Sequence, residues 1–338
     1  MNERTLRILN DPELLEYQNN WFEKMRAIFE GDEAGPLVLN GIVGRTQNRD
    51  ILYNDPKQAL VEDLKVLAQY AHQYKSDKWF VPFCVEGEFY GVHFIDRIFG
   101  AKVFFQDGQW YNRYLDIEVG ELEKPDLEND ETWRMAREYA LAFLNSGTEV
   151  PLLGLPTIAS ALNIAINLYG EEILVAMLAE PEAAKHDLEI INEVLMEIHR
   201  WYLENIPHDR MQPVISWGRT QPPGYGQICG CSTQLVSPGL YEEFIMPLDN
   251  ALLGVYPNGG MIHLCGSHEH LLPLFAKMEN LKSVQLNDRA SDGLADYVKM
   301  LREDQVIYLI PSEGMPLERG LEIAKGKKLI VNGAYELY

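Results

Sequence analysis

The chain has 338 residues, of which 46% are hydrophobic and 24% are charged, a composition typical of a globular protein with a large buried core. Its 51 Asp and Glu residues against 29 Lys and Arg give a net charge of −22, which disfavours nucleic acid and anionic membranes as partners, since both are bound mainly through Lys and Arg. The charged N-terminus and the lack of a long apolar run in the sequence predict no signal peptide, no membrane span and a cytoplasmic location.

Short strand patterns alternate with helical patterns along most of the chain. In chain order the predicted strands are 36–40, 78–84, 150–155, 212–217, 260–265, 281–286, 305–310 and 327–331. This alternation, without a linker rich in Pro, Gly or Ser, favours an α/β fold: a single (β/α)8 TIM barrel domain over residues 35–338, preceded by an N-terminal helical extension over residues 1–34. A doubly wound open sheet is the main alternative, but no GxGxxG turn or Walker loop follows any strand.

Three further elements are predicted between these strands. Asp107-Gly108 separates two aromatic segments within residues 101–119 and predicts a β-hairpin inserted into the α/β pattern. Apolar residues recur every three to four positions from Pro181 to Ile206 and predict the longest helix. Another helix is predicted to begin at Ser237 as N-cap, with Pro238 at the first helical position.

The barrel prediction places the functional site at the carboxyl ends of the strands. Polar and aromatic residues at or near those ends are the candidates for binding a substrate, with core packing as the alternative for the aromatic ones. They are Asn40, Cys84, Glu86, Trp217, Tyr225 and Asn287.

A metal site is the sharpest candidate. His263 and Cys265 are two residues apart on a predicted strand, so their side chains share one face and could both bind zinc. The alternative is a packed histidine beside a small apolar cysteine. Glu242 is a candidate third ligand, and Cys229, Cys231 and Gln227 are weaker ones. His268 and His270 are expected to face solvent at the start of the next helix.

Residues 232–288 resemble the uroporphyrinogen decarboxylase superfamily, and within it the cobalamin-dependent methyltransferases. The similar features are the Ser-Pro helix start, the acidic-Phe pair of "LYEEF" and the strand "GGMIHLCG", which ends in His-x-Cys-Gly. A weaker match covers residues 153–195. The resemblance implies a (β/α)8 barrel, zinc bound by His263, Cys265 and one later cysteine, and a corrinoid protein as the partner that carries cobalamin. No cysteine follows Cys265 here, and Ala334 stands near the place where the family has one.

One branch of the family, the phenyl methyl ether O-demethylase methyltransferases, resembles this chain in the spacing of its acidic residues. Glu242 lies 21 residues before His263, and Gln227 lies 15 before Glu242. A set of one thiolate, one imidazole and one carboxylate keeps zinc electrophilic, whereas several thiolates suit the activation of a thiol. The resemblance therefore predicts zinc-dependent transfer of a methyl group from a small methylated donor, an aryl methyl ether, to the Co(I) of a corrinoid protein.

Two other functions stay open. The first is a metal-free uroporphyrinogen decarboxylase-like lyase, although the Arg-rich N-terminal signature of the decarboxylases is absent and only Arg45 and Arg49 stand in its place. The second is a non-catalytic relative that binds a corrinoid protein or a small ligand after losing a zinc ligand.

Overall fold

A computed structural model of the chain describes residues 1–40, 43–44, 49–71, 75, 77–212 and 219–332. Trp217, Ala334 and Arg45, and all but the first residue of the predicted strand 212–217, lie outside these residues.

Parallel strands form the centre of the molecule. The strands are β1 (Leu37–Leu39), β2 (Val43–Gly44), β3 (Cys84–Glu86), β4 (Lys102–Gln106), β5 (Gln109–Arg113), β6 (Leu152–Gly154), β7 (Met211–Gln212), β8 (Gly226–Cys229), β9 (Gly260–Leu264), β10 (Leu281–Leu286), β11 (Val306–Leu309) and β12 (Leu329–Asn332). One sheet has the order β1-β12-β11-β10-β9-β8 and a second has the order β2-β3-β6-β7. Both are parallel throughout.

The two sheets meet along one side. A parallel bridge between Leu39 and Phe80 joins β1 to the segment that precedes β3. On the other side, within the described ranges, no ladder joins β7 to β8. Gln221 spans the gap: its backbone N–H donates to the side-chain oxygen of Gln212, and its side-chain amide donates to the carbonyl of Gly226. The parallel α/β architecture predicted from sequence is thus present, and closure into a complete (β/α)8 barrel is not established.

Helices connect the strands. They are α1 (Glu3–Leu9), α2 (Pro12–Phe29), α3 (Arg49–Asn54), α4 (Pro56–Tyr70), α5 (Phe94–Ile98), α6 (Glu131–Leu144), α7 (Ala161–Tyr169), α8 (Glu172–Ala179), α9 (Pro181–Asn205), α10 (Pro238–Leu240), α11 (Met246–Leu253), α12 (Leu272–Phe275), α13 (Arg289–Asp292), α14 (Leu294–Met300) and α15 (Leu317–Ile323). The prediction for α9 is confirmed, and Ser237 caps α10 by accepting a hydrogen bond from the backbone N–H of Leu240. A π-helical turn, Tyr241–Ile245, continues α10 into α11. Short 3-10 turns lie at Gly91–His93, His208–Arg210, Cys231–Leu235 and Glu269–Leu271.

Strand β8 is absent from the predicted strands, because the sequence pattern at residues 226–229 indicates a loop. Its four residues begin with a glycine, include a glutamine and are followed by Gly230, so they show neither the length nor the alternation of an ordinary strand. Close approach to β9 explains the glycines: a Cβ at Gly260 would lie 2.3 Å from the carbonyl oxygen of Gly226. The extra strand brings Cys229, at its end, and Cys231, just after it, beside β9.

The β-hairpin and the N-terminal helices agree with the sequence analysis. Strands β4 and β5 are antiparallel, and Asp107 and Gly108 both have positive φ, as a two-residue hairpin turn requires. Helix α2 packs against the bridge between the sheets, where Trp21 stacks on Phe80 with ring centroids 5.9 Å apart. The buried side chains of α2 therefore belong to the same core as the strands.

No helix in the described part of the chain is by itself both long and apolar enough to cross a membrane. Helices α7 and α8 reach the required length and composition only as a pair, and they are bent by 110° relative to each other.

Candidate metal centre

The carboxyl ends of β8 and β9 bring together four groups that bind metals. Cys229 ends β8 and lies directly opposite His263 in the parallel register. Cys231 begins the 3-10 turn after β8, and Cys265 follows β9. Three thiols and one imidazole from two adjacent strands thus share one edge of the sheet.

The distances suit a single ion. The ligand atoms of Cys229, Cys231 and His263 all lie within 4.8 Å of one another, and the sulfurs of Cys229 and Cys231 are 3.5 Å apart. The sulfur of Cys265 is 3.1 Å from Nε2 of His263 and is in hydrogen-bond contact with the Cys231 thiol. Ligands of a tetrahedral zinc, with Zn–S about 2.3 Å and Zn–N about 2.0 Å, are roughly 3.5–4 Å apart. Cys229, Cys231 and His263 therefore need only small shifts to bind zinc, and Cys265 contacts two of these three residues.

The imidazole of His263 has its unprotonated nitrogen, Nε2, near the thiols. Gln285 of β10 lies opposite His263, and its side-chain oxygen is hydrogen-bonded to Nδ1 of the imidazole. An amide oxygen only accepts hydrogen bonds, so Nδ1 carries the proton. Nε2 therefore carries the lone pair, as in metal-binding histidines, with the sulfur of Cys265 at 3.1 Å and Nη2 of Arg219 at 3.4 Å from it.

Thiolates are favoured even without a metal. Contact with the Cys231 thiol lowers the pKa of Cys265 below its usual range, and His263 adds to the effect. Contact with the same thiol lowers the pKa of Cys229, helped by the nearby His263 and Arg219. The pKa of Cys231 itself is raised because sulfurs lie on both sides of it. Since the thiolate is the form that binds a metal, the cluster is prepared for an ion.

Two asparagines complete the surroundings of the sulfurs. The amide nitrogen of Asn163 at the start of α7 is 3.7 Å from Cys229, and that of Asn287 is 3.7 Å from Cys265. Asn287, predicted as a substrate-binding residue, lies against the Cys265 thiol. Asn163 and Gln285 were missed, because no local spacing connects them to His263.

The structure does not bring Glu242 to this cluster. The π-helical turn buries Tyr241, Phe244 and Ile245 and leaves Glu242 on the solvent side, where its carboxylate lies 3.1 Å from Nζ of Lys277. The expectation of a carboxylate ligand from this helix is therefore corrected. Cys229 and Cys231, the weaker candidates from sequence, are the ones beside His263.

The other predicted residues are distributed around the sheets. Gln227 lies two residues before Cys229 on the same face of β8, deeper in the interior. Asn40 and Glu86 are buried at the carboxyl ends of β1 and β3, whereas Cys84 begins β3, where burial raises its pKa. Tyr225 precedes β8 and packs on Phe29 of α2 at the opposite end from the thiols, so its predicted substrate role is not supported by its position.

His268 and His270 differ in their exposure to solvent. His270 is exposed as expected. His268 is fully buried, contrary to expectation, and bonds to the carbonyl of Gly266 against the backbone of Gly230 and Cys231.

Comparisons with known proteins bear on the fold. No family model matches the chain, and no curated protein matches its sequence. Among solved structures, a methyltransferase from Methanosarcina mazei matches with a TM-score of 0.62 and 13% identity over 94% of this chain and 92% of that one. A B12-independent methionine synthase from Shewanella sp. W3-18-1, in complex with selenomethionine, matches with a TM-score of 0.49 and 10% identity over 88% and 90% of the two chains, too low a score to carry an argument. The chain therefore shares its fold with a methyltransferase. A sequence identity of 13% supports similarity of fold alone.

Proposed function

We propose that this chain is a zinc-dependent methyltransferase that moves a methyl group from a small methylated donor to the Co(I) of a corrinoid protein. The observation that carries the proposal is the convergence of three thiols and the unprotonated nitrogen of His263 at the carboxyl ends of two adjacent parallel strands. The likeness in fold to a methyltransferase supports it.

The donor set fits zinc. His263 would bind through Nε2, together with Cys265, Cys231 and Cys229. Catalytic zinc sites commonly use three protein ligands and leave one position for a substrate atom. Four donors meet here, so a substrate atom can take the place of one thiol. When bound, zinc would supply stabilisation of negative charge on a substrate sulfur.

The ligands favour a sulfur substrate over the aryl ether expected from sequence. That expectation relied on Glu242 to keep the metal electrophilic, and Glu242 instead pairs with Lys277 at the surface. A site rich in thiolates donates charge and suits sulfur chemistry. We therefore infer a methyl thioether as donor: its carbon–sulfur bond breaks, the methyl group leaves for the cobalt of the partner, and the sulfur departs as a thiolate.

The chain's own residues hold this geometry. Gln285 keeps the proton of His263 on Nδ1, and the amides of Asn163 and Asn287 donate to the sulfurs of Cys229 and Cys265. Hydrogen bonds to charged sulfur stabilise the thiolates and fix their directions.

Metal analysis tests the site. Protein purified without added zinc is expected to contain about one zinc per chain, and Cys265→Ser and Cys231→Ser are expected to lose most of it, because each removes a thiolate ligand. Glu242→Gln is the matched control and should keep its zinc, since its carboxylate is 3.1 Å from Lys277 and not in the cluster. Wild-type protein without metal, or Cys265→Ser with full metal content, would contradict the proposal.

Methyl transfer to free cob(I)alamin tests the chemistry, followed by the change in cobalamin absorbance. Methyl thioethers are expected to react and aryl methyl ethers to react more slowly, and His263→Ala is expected to abolish both reactions. Faster reaction with the ethers would restore the donor predicted from sequence, and full activity of metal-free His263→Ala would exclude a metal-dependent mechanism.

A further inference from the structure

Helix α8 leaves apolar side chains uncovered. Its eight residues, EILVAMLA, include a single charged one, Glu172, and a helix that is apolar on all faces is normally buried. Helices α7 and α9 pack against one face, where Ile173 and Met177 are buried. Val175 and Leu178, three positions apart on the opposite face, are 54% and 73% exposed. That face of α8 therefore has no cover within the described part of the chain.

A groove with a volume of about 510 Å³ lies beside this face, between α8 and residues 114–119. Val175 lines it from α8, and Tyr114 and Ile117, both exposed, line it from the other side. We call this surface, together with the adjacent Leu178, the α8 groove. Exposed apolar side chains that adjoin one another in this way are typical of interaction sites.

The walls of the α8 groove are fixed to the core. The backbone N–H of Leu115 donates a hydrogen bond to a carbonyl in the last turn of α7. Tyr114 packs over Gly170, where a Cβ would lie 2.9 Å from its ring. The hydroxyl of Tyr169 donates to the buried carboxylate of Asp187 at 2.7 Å. The groove is therefore formed before a partner binds, which lowers the entropy cost of binding.

Acidic residues surround the α8 groove. Glu118, Glu172 and Glu180 line it, and no Lys or Arg of the described ranges does. The two segments that form it, 114–123 and 170–184, each contain four Asp and Glu residues and no Lys or Arg. Among the described residues, no cation pairs with the three glutamates of the groove. The groove therefore combines apolar surface with uncompensated negative charge.

This charge indicates which kind of molecule fits the groove. A second copy of the chain would bring a molecule with a net charge of −22 against the glutamates, and like charges across an interface oppose association. A partner with Lys or Arg around apolar side chains satisfies both features of the groove, because its cations meet carboxylates while its apolar atoms leave water.

The shape of the uncovered face favours a helix as the partner. Val175 and Leu178 form a ridge of side chains spaced by three residues, and such ridges pack into the grooves between the side chains of another helix. Amphipathic helices bind apolar grooves in this way through side chains at positions i, i+3, i+4 and i+7.

The α8 groove is separate from the metal centre. Asn163, in the first turn of α7, contacts Cys229, whereas Tyr169, the last residue of α7, lines the groove. Six residues of helix correspond to roughly 9 Å along its axis. The groove therefore lies at the end of α7 that is farther from the thiols.

We propose that the α8 groove is the docking site for a basic amphipathic helix of another protein. Apolar side chains of that helix enter the groove, and its Lys or Arg residues pair with Glu118, Glu172 and Glu180. The inference is independent of the proposed function, since no residue of the metal centre takes part.

Three fluorescent peptides of about 18 residues, long enough to form a helix, test this chemistry on the full chain. The first carries leucines at i, i+3, i+4 and i+7 and lysines elsewhere, the second has serines for the leucines, and the third has glutamates for the lysines. Anisotropy is measured at about 0.15 M salt, which screens attraction between distant exposed charges. The first peptide is expected to bind at least about 10-fold more tightly than the other two, since it alone offers both features.

The apolar contribution is tested by the double variant Val175→Ser/Leu178→Ser. It is expected to weaken binding of the leucine–lysine peptide by about 10-fold, because two apolar side chains no longer leave water on binding. Leu141→Ser/Leu144→Ser is the matched control, since these leucines are also exposed and three positions apart, on α6. It should bind the peptide as wild type does.

The charge contribution is tested by Glu172→Gln/Glu180→Gln, which is expected to weaken binding of the same peptide by about 5- to 10-fold. Glu279→Gln/Glu303→Gln removes the same charge at exposed positions outside the groove and should leave the affinity unchanged.

Two sets of results would overturn the docking site as proposed. Equal binding of the leucine–lysine and serine–lysine peptides, or equal weakening by the groove variants and their controls, would show a general attraction of cations to an acidic chain. A dimer of the wild type in sedimentation velocity that is absent in Val175→Ser/Leu178→Ser would make a second copy the occupant of the groove.

Discussion

A single amide decides which nitrogen of His263 faces the thiols. Gln285 accepts a hydrogen bond from Nδ1, and no residue near it in the chain indicates this, because it comes from the neighbouring strand 22 residues away. Partners of this kind orient metal-binding histidines and make them more basic. The geometry of His263 therefore depends on Gln285 as much as on its own strand.

Gln285→Leu is expected to weaken zinc binding by about 10- to 100-fold, the usual effect of removing the hydrogen-bond partner of a metal-binding histidine. Competition with a chromophoric chelator measures the affinity. Gln58→Leu, at an exposed glutamine bonded to Glu62 on α4, is the control for general effects. Unchanged affinity in Gln285→Leu would mean that His263 is oriented by other contacts.

At the scale of one element, α9 buries polar residues that its apolar pattern does not predict. The apolar stripe predicted from Pro181 to Ile206 is buried, and the same face buries Asp187 and His199. Asp187 accepts hydrogen bonds from the backbone of Gly120 and Leu122 and from the hydroxyl of Tyr169. Asp187 thus connects residues 120–122 and α7 to α9 through hydrogen bonds.

His199 makes the stability of α9 dependent on pH. Burial lowers its pKa from 6.5 to about 4, while Nδ1 is 2.6 Å from the Tyr256 hydroxyl. Between these two values the unfolded chain binds a proton that the folded chain does not. The contribution of neutral His199 is therefore complete above about pH 6.5 and is lost as the pH falls towards 4.

Urea unfolding at pH 7.5, 6.0 and 5.0 measures this effect. The free energy of unfolding of wild type is expected to fall from pH 7.5 to 5.0, and that of His199→Gln, which cannot titrate, is expected to fall less. His208→Gln, at an exposed histidine in the 3-10 turn after α9, should keep the wild-type profile. Parallel profiles for wild type and His199→Gln would show that other groups cause the pH dependence.

At the scale of the whole molecule, the N-terminal helices belong to the core. Trp21 of α2 is 6% exposed, stacks on Phe80 and lies beside the bridge that joins the two sheets. Tyr17 of the same helix bonds to the carbonyl of Trp79. Helix α2, which lies within the helical extension 1–34 predicted from sequence, therefore packs at the junction between the sheets.

Trp21→Ala is expected to reduce the free energy of unfolding by about 3–5 kcal/mol, the usual cost of truncating a large buried aromatic side chain. Leu178→Ala, at a leucine that is 73% exposed, should change it by less than about 0.5 kcal/mol. Urea unfolding compares the two. A small effect at Trp21 would mean that α2 packs as a separable extension.

Local sequence patterns were sufficient to predict many of the elements of this protein. The apolar spacing of α9, the N-cap at Ser237 and the Asp107-Gly108 turn each depend on neighbouring residues, and each is present as predicted. The same is true of His263 and Cys265, because residues two apart on a strand share a face. The sequence by itself therefore determined the parallel α/β architecture and one half of the candidate metal centre.

The other half was decided by tertiary structure. Cys229 meets His263 only because β8 pairs with β9 in one particular register, and β8 is too short to be recognised from its residues. Glu242, which spacing favoured, is directed to solvent by the π-helical turn, while Arg219 and Gln285 reach His263 from other segments. Local sequence determines which face of an element a side chain occupies, but strand order and register determine which faces meet.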